Sequence, residues 1–401
     1  RMGKFKNDKV ELKNNQSVVV TTRDIIGTSD LIPSQYSELA KDVEIDDRIL
    51  LADGTLEFKV NKIIDTEIEC TVVYGGILSN HKGINLPGIK VSVPSLTEKD
   101  KADAKLALDL GVDFLALSFV RSASDIQDLK ELINAHSGNA LIIAKIEKPE
   151  ALDNADEILE AADGIMVARG DLGVELNPEQ VPVAQHQLID LARKKFKPVI
   201  VATQMLESMI ENARPTRAEV TDVAYAVTLG TDAIMLSGET AVGAFPVDAV
   251  KMMDRIARQT ESYLWTNNAY GSKVRYDSSK AAIPIWDAIA NSMSQLAHDL
   301  RVCAVIVISK SGMSAATMSS ARPAAPVIAI TKTMDVCQKI LMHWGIVPVL
   351  SNDIEKTNFS DLARNIVVEK KLALKGQKVL LVQGFQSDDA LNKPSITVLT
   401  I

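Results

Sequence analysis

Lys145, Glu147 and Asp171 are the residues of this chain whose types and spacing promise chemistry. Lys145 and Glu147 close the run Leu141-Ile142-Ile143-Ala144-Lys145-Ile146-Glu147, an otherwise apolar stretch of strand length. Two residues apart on a strand, they point to the same side. Asp171 follows a second such run, Gly164-Ile165-Met166-Val167-Ala168-Arg169, beside a glycine-containing turn. Runs apolar on both faces suit strands of a parallel sheet covered by helices. Charge where such a strand ends lies at the carboxyl edge of the sheet, where α/β folds bind ligands. One ammonium and two carboxylates converging on one rim can hold a hard divalent ion and a phosphorylated substrate. The competing reading is a salt-bridged barrel rim without chemistry; repetition of the pattern in later strands favours the first.

The elements that must position these groups follow a βα rhythm. A helical pattern over Glu150–Ala162 separates the two strands, and strands are expected at Phe114–Val120, Pro198–Thr203 and Ala233–Ser237. Helices are expected from the capping pattern Thr97-Glu98-Lys99-Asp100 to about Leu110, over Ser124–Asn134, over Pro182–Lys195 and after Thr216-Arg217-Ala218-Glu219. Regular alternation from Val91 onward predicts an α/β fold of (β/α)8 TIM-barrel type in residues 90–265, of which five strands are counted. Residues 1–89 read as a small all-β domain instead. Its short β-rich runs are Val18–Thr22, Arg48–Leu51, Leu56–Ile64 and Ile68–Tyr74, with a hairpin turn at Asp53-Gly54. A small domain hinged to a larger one often serves as a lid that excludes water; a decorative insertion is the other reading of the same stretch. A linker is expected between Trp265 and Lys280, and residues 280–401 read as a separate α/β unit. Its strands are expected at Val302–Ser309, Pro326–Thr331, Val347–Leu350, Lys378–Gln383 and Ser395–Leu399.

Composition narrows the function. The 401 residues suffice for two or three domains, and 46% hydrophobic with 24% charged residues is ordinary for a globular protein. A net charge of −8 and the lack of a basic run argue against a nucleic-acid partner. Cys70, Cys303 and Cys337 have neither metal nor redox spacing, and no stretch reads as a membrane span or signal peptide, so the expected location is cytoplasmic. There is no Gly-x-x-x-x-Gly-Lys-[Ser/Thr] or Gly-x-Gly-x-x-Gly loop, so a nucleotide enzyme here needs another device.

Six runs carry a resemblance to the pyruvate kinase family. They are Ile143-Ala144-Lys145-Ile146-Glu147, Val167-Ala168-Arg169-Gly170-Asp171-Leu172-Gly173 and Ala202-Thr203-Gln204-Met205-Leu206-Glu207-Ser208-Met209, together with Met235-Leu236-Ser237-Gly238-Glu239-Thr240, Arg214-Pro215-Thr216-Arg217-Ala218-Glu219 and Lys82-Gly83-Ile84-Asn85-Leu86-Pro87-Gly88. The resemblance runs from Arg1 to the C-terminus in the right order. It implies phosphoryl transfer from phosphoenolpyruvate to ADP, giving pyruvate and ATP, with Mg²⁺ or Mn²⁺ and K⁺ as cofactors and a homotetramer as the assembly. By the same resemblance Glu147 and Asp171 ligate the divalent metal, and Lys145 sits against the transferring phosphoryl group and the enolate oxygen. Backbone amides around Ala168, Arg169 and Gly170 hold the substrate carboxylate, helped by Thr203. Thr203, Ser237 and Glu239 order the water that protonates the enolpyruvate. Lys82 and Arg1 face nucleotide phosphates. A phosphorylated effector is expected at Ser309-Lys310-Ser311-Gly312-Met313-Ser314, a strand–helix turn with hydroxyls and free amides.

Other readings stand beside these. Thr203, Ser237 and Glu239 are residue types that cap helices or satisfy backbone groups. Lys82 alone reads as a solvated lysine, and the effector turn as an ordinary connection. A non-catalytic relative acting as a binding or regulatory module keeps the same rim, and a metal-dependent aldolase or lyase barrel shares the Glu/Asp pair but leaves the Lys82 lid without a role. The family's pattern includes a segment before Arg1 with the first barrel strands, K⁺ ligands and further arginines, so the natural gene product is expected to extend beyond Arg1.

Overall fold

The computed structural model describes residues 1–89, 92, 94–267, 283–354, 358–386 and 392–401. The first 89 residues carry a six-stranded sheet. Its strands are β1 (Ser17–Thr21), β2 (Leu31–Pro33), β3 (Arg48–Leu51), β4 (Leu56–Ile64), β5 (Glu67–Tyr74) and β6 (Ile84–Asn85), in the order β6-β3-β4-β5-β1-β2. All neighbours are antiparallel except β1 and β2. The β3–β4 hairpin turns through Ala52, Asp53 and Gly54, each at positive φ, as the Asp-Gly pair demands. Phe58, Ile49, Leu51, Val60, Ile68 and Val72 are fully buried in its core, each contributing about 1.5–3 kcal/mol.

The next unit is the parallel sheet expected from the βα rhythm. Helix α1 (Glu98–Asp109) opens on a capping box in which Thr97 and Asp100 bond reciprocally. There follow β7 (Phe114–Leu117), α2 (Ala123–Ala135), β8 (Leu141–Ile146), α3 (Pro149–Asp153), α4 (Ala155–Ala161), β9 (Gly164–Ala168), α5 (Arg169–Glu175), α6 (Val181–Lys194), β10 (Val199–Ala202), α7 (Arg217–Leu229), β11 (Ala233–Met235), α8 (Gly238–Ala241) and α9 (Pro246–Thr266). The five strands pair β7-β8-β9-β10-β11, all parallel. Ile142, Ala144 and Ile146 pack with the helices in the main core, while Ile143 joins Met166, Ile200 and Ala202 on the other face.

Several elements are shorter than expected, among them the strands Val305–Ile308 and Ala233–Met235, and two differ for a clear local reason. The helix expected over Glu150–Ala162 is two helices broken at Asn154 (φ −98°, ψ 12°), whose side-chain amide donates to the Arg121 carbonyl at 2.8 Å. The strand expected to reach Val120 stops at Leu117, because Phe119 takes the left-handed region (φ 56°) and turns its amide toward Glu147.

The C-terminal unit holds α10 (Ile285–Asp299), β12 (Val305–Ile308), α11 (Met313–Ser320), β13 (Val327–Thr331), α12 (Met334–Ile340), β14 (Ile346–Leu350), α13 (Phe359–Glu369), β15 (Lys378–Gln383) and β16 (Ser395–Thr400). Its sheet runs β14-β13-β12-β15-β16, parallel apart from the β15–β16 pair. The expected linker begins inside α9, and beyond Asn267 it lies outside the described residues. Val91 also lies outside them. Among the described residues no helix is long and apolar enough to cross a membrane.

Candidate active site

Strand register sets the height of the rim. Ala168 is paired with Ala202, Ala202 with Met235, and Val167 with Ile146. Glu147, Arg169–Asp171, Thr203 and Leu236–Ser237 therefore leave the sheet at one level, its carboxyl edge, as in ligand-binding α/β folds.

Lys145 Nζ donates to Ser118 Oγ at 2.8 Å and lies 2.6 Å from Glu147 Oε1. The lysine side chain is 25% exposed and the glutamate 1%, so the pair lies just beneath the surface of the rim. Glu147 Oε2 accepts the Phe119 amide at 2.9 Å, whereas Oε1 is engaged by the Lys145 ammonium. Burial pushes the Glu147 carboxyl above its ordinary range. Lys145 and the Phe119 amide oppose that rise, and the negative charge of Asp171 adds to it. A buried carboxylate balanced by one ammonium, in the field of a second carboxylate, is a donor set for a hard divalent cation. Glu147 and Asp171 thus fit Mg²⁺ or Mn²⁺. Among the described residues no group of three or more His, Cys, Asp or Glu could hold a metal ion, so the pair suits a cation that draws its other ligands from substrate and water.

The β9–α5 turn supplies the amides. Gly170 N donates to Thr203 Oγ1 at 2.7 Å, and that hydroxyl donates to the Ala202 carbonyl at 2.6 Å. Thr203 and Gln204 both sit at positive φ (69° and 53°), a strained pairing for non-glycine residues. The Arg169 guanidinium holds this turn: Nη2 donates to the Thr203 carbonyl at 2.7 Å and Nη1 meets Asp222 at 2.6 Å. Its side chain therefore faces the scaffold, leaving the backbone to face the rim.

Glu239 is 1% exposed, with Oε1 accepting the Leu206 amide at 3.0 Å and Oε2 the Ser237 amide at 2.8 Å. It ties the loop after β10, at Leu206, to the loop after β11, at Ser237. Arg1 and Lys82 form a second group on the lid, both exposed. Arg1 Nη1 donates to the His81 carbonyl at 3.1 Å, and the Met2 amide donates to the Lys82 carbonyl at 2.9 Å.

In the third unit, Ser309 is buried and its Oγ accepts the Ala315 amide at 3.3 Å, while Lys310 and Ser311 are exposed and Ser314 is buried. Gly312 (φ 94°) has no room for a side chain, since an added Cβ would lie 2.6 Å from Ile340 Cγ2. Ser118, the Phe119 amide and Asp222 belong to the site and escape sequence reasoning. Of these only Ser118 carried a signal, as a hydroxyl following the strand that ends at Leu117.

A parallel sheet with helices, an all-β unit over the first 89 residues and a rim of one ammonium and two carboxylates defines an α/β protein of barrel type with a charged carboxyl edge. Residues 1–250 match the sequence model of the pyruvate kinase barrel domain, and residues 287–396 that of the pyruvate kinase alpha/beta domain. The chain belongs to the pyruvate kinase family. It is 42% identical over 388 residues to a pyruvate kinase of Geobacillus stearothermophilus, spanning 96% of this chain and 65% of that protein. Against a pyruvate kinase of Clostridium perfringens it is 39% identical, over 95% of this chain and 81% of the other. A solved pyruvate kinase structure from Cryptosporidium parvum superposes with a TM-score of 0.85 at 36% identity, covering 99% of this chain and 81% of that one.

Proposed function

We propose that this chain carries out phosphoryl transfer from phosphoenolpyruvate to ADP, giving pyruvate and ATP. The observation that carries the reading is the Lys145–Glu147 pair: a partly exposed lysine whose ammonium lies 2.6 Å from a buried carboxylate oxygen, with the Asp171 charge acting on the same carboxyl. Phosphoryl transfer depends on positioning and on neutralising charge, more than on covalent chemistry by the protein. Ser118 fixes Lys145 Nζ in advance, so little reorganisation is needed when charge builds on the phosphoryl and enolate oxygens. Mg²⁺ or Mn²⁺ held by Glu147 and Asp171 would supply further charge neutralisation there.

The substrate carboxylate would take the Gly170 amide now donated to Thr203. The released Thr203 hydroxyl, with Ser237, would then order the water that protonates the enolate carbon, while Glu239 positions both loops. Lys82 and Arg1 would meet the nucleotide phosphates. The same reading includes K⁺, cytoplasmic location, a homotetramer and a phosphorylated effector at Ser309–Ser314. Because Gly312 tolerates no side chain, the effector site is better probed at the exposed Ser311.

The curated relatives from Geobacillus stearothermophilus and Synechocystis are longer, and the chain spans 65% and 64% of their lengths. The test accordingly uses the purified natural protein. Pyruvate formation from phosphoenolpyruvate, ADP and Mg²⁺ is followed in a coupled assay. Turnover is expected, with Lys145→Met losing roughly 100- to 1,000-fold, Thr203→Ala losing less, and Glu147→Gln losing metal-dependent activity. No pyruvate from the parent, or an active Lys145→Met, would overturn the reading.

A further inference from the structure

Behind the rim, three buried side chains converge from three different segments. Lys148 Nζ donates to Glu175 Oε1 at 2.6 Å, the two side chains being 9% and 1% exposed. Asn85, also buried, lies on the strand of the lid that packs against α5 and favours the ionised form of Glu175. Each of the three is tied along the chain to a residue already placed at the site. Lys148 directly follows Glu147; Glu175 closes α5, one helical turn beyond Asp171; and Asn85 lies on β6, three residues beyond Lys82. The lid touches α5 a second time, where its Gly54 turn faces Val174.

Burying a lysine and a glutamate here is expensive for a task of mere packing, since apolar side chains of similar volume hold such positions at least as well. What a buried pair provides instead is a directional restraint between the two backbones that carry it. α5 is only seven residues long. Its first turn bears the Gly170 amide and Asp171, and its last residue is pinned to Lys148 on one side and interacts with Asn85 on the other. A displacement of Asn85 acts on Glu175 and so tilts the helix that presents Asp171.

We propose that Lys148, Glu175 and Asn85 are positioning residues that hold Glu147 and Asp171 at a fixed separation and couple the lid to that separation. Cation affinity and lid position are then linked, and by thermodynamic reciprocity each biases the other. The inference rests on the reading of Glu147 and Asp171 as cation ligands and of Lys82 as a nucleotide contact.

The test is Mn²⁺ binding to the purified natural protein, measured by electron paramagnetic resonance without turnover, alongside KM for ADP and kcat. Lys148→Met combined with Glu175→Leu replaces the pair by apolar groups and is expected to fold with a thermal midpoint near the parent's. It should bind Mn²⁺ roughly 10-fold or more weakly, the usual cost of losing a group that orients metal ligands. Lys148→Arg, which keeps the charge, should stay near the parent. Asn85→Ala should raise KM for ADP and also weaken Mn²⁺ binding, by less than the double variant does, because the two are linked; a raised KM with parent-like Mn²⁺ affinity would overturn the coupling. If the double variant does not fold, Glu175→Gln gives the same Mn²⁺ readout, because it retains shape and loses the charge. Parent-like Mn²⁺ affinity in the folded variant overturns the inference while leaving the site intact. Mn²⁺ affinity unaffected by Glu147→Gln overturns the site reading itself, and the inference with it.

Discussion

Glu147 pairs with Lys145 and accepts one amide, yet its carboxyl is still pushed above the ordinary range, because burial outweighs both partners. The sign of the consequence is fixed. A folded state with the raised value binds more protons than the unfolded chain across the window between the ordinary carboxylate range and that raised value, so stability falls as pH rises through it. Without divalent cation, the contribution of Glu147 to the thermal midpoint should therefore decline over that window, against the opposite slope of carboxyls such as Glu219 whose values are lowered. Glu147→Gln should flatten the decline, leaving the share from Glu175, whose carboxyl burial also pushes up. Thermal melts across the acidic range in chelator measure this, and an unchanged slope would show that the fold does not penalise the Glu147 charge. Supplying a cation should restore stability to the parent alone, since only an ionised carboxylate ligates well.

At the scale of elements, the site depends on loops held together from behind. Glu239 joins the turns after β10 and β11 through the Leu206 and Ser237 amides, and hydrogen bonds to a buried charged acceptor are worth about 1.5–3 kcal/mol. Glu239→Gln puts an NH₂ group against one of those amides. It should destabilise by about 1.5–3 kcal/mol and lower kcat more than it changes substrate affinity, as Thr203 and Ser237 lose alignment. Denaturant titration with steady-state kinetics checks both, and parent-like values would reduce Glu239 to a dispensable cap. Strand existence was legible in the apolar runs, and the rim in the charges that end them. What the runs could not show was where a strand yields to its neighbours. Phe119 leaves β7 early because a left-handed turn brings its amide to Glu147, and Asn154 splits a helix to reach the Arg121 carbonyl. Arg169–Asp222 and Lys148–Glu175 are separated by 53 and 27 residues, so no local spacing announces them. By type alone Thr203, Ser237 and Glu239 read as caps, and only the runs around them point to a site; the structure shows the Glu239 carboxylate engaged by two backbone amides.

At the scale of the molecule, the barrel-type sheet and the C-terminal unit meet at a second buried ion pair. Arg322 and Asp232 are 1% and 4% exposed and lie 3.1 Å apart. Asp232 Oδ2 accepts the Val199 amide at the start of β10, and Oδ1 accepts the Trp344 amide at 3.0 Å. The Arg322 guanidinium also donates to the Gly230 and Ser319 carbonyls and sits 5.5 Å from the centre of the Trp344 ring. Trp344 in turn donates through Nε1 to Glu261 on α9 and meets Trp265 edge-on, the ring centres 6.3 Å apart. One carboxylate thus receives groups from both units, and Arg322 returns a bond to the C-terminal cap of α7. Removing one partner of such a pair strands the other charge in a water-poor interior, which costs about 3–5 kcal/mol. Asp232→Ala should therefore lower stability by about 3–5 kcal/mol. It should also loosen the cooperativity between the units, so that a single unfolding transition in the parent becomes broadened or split. Calorimetry resolves both effects. A loss below about 1 kcal/mol, the range of exposed ion pairs, with one sharp transition retained, would mean that apolar packing rather than Asp232 joins the two units.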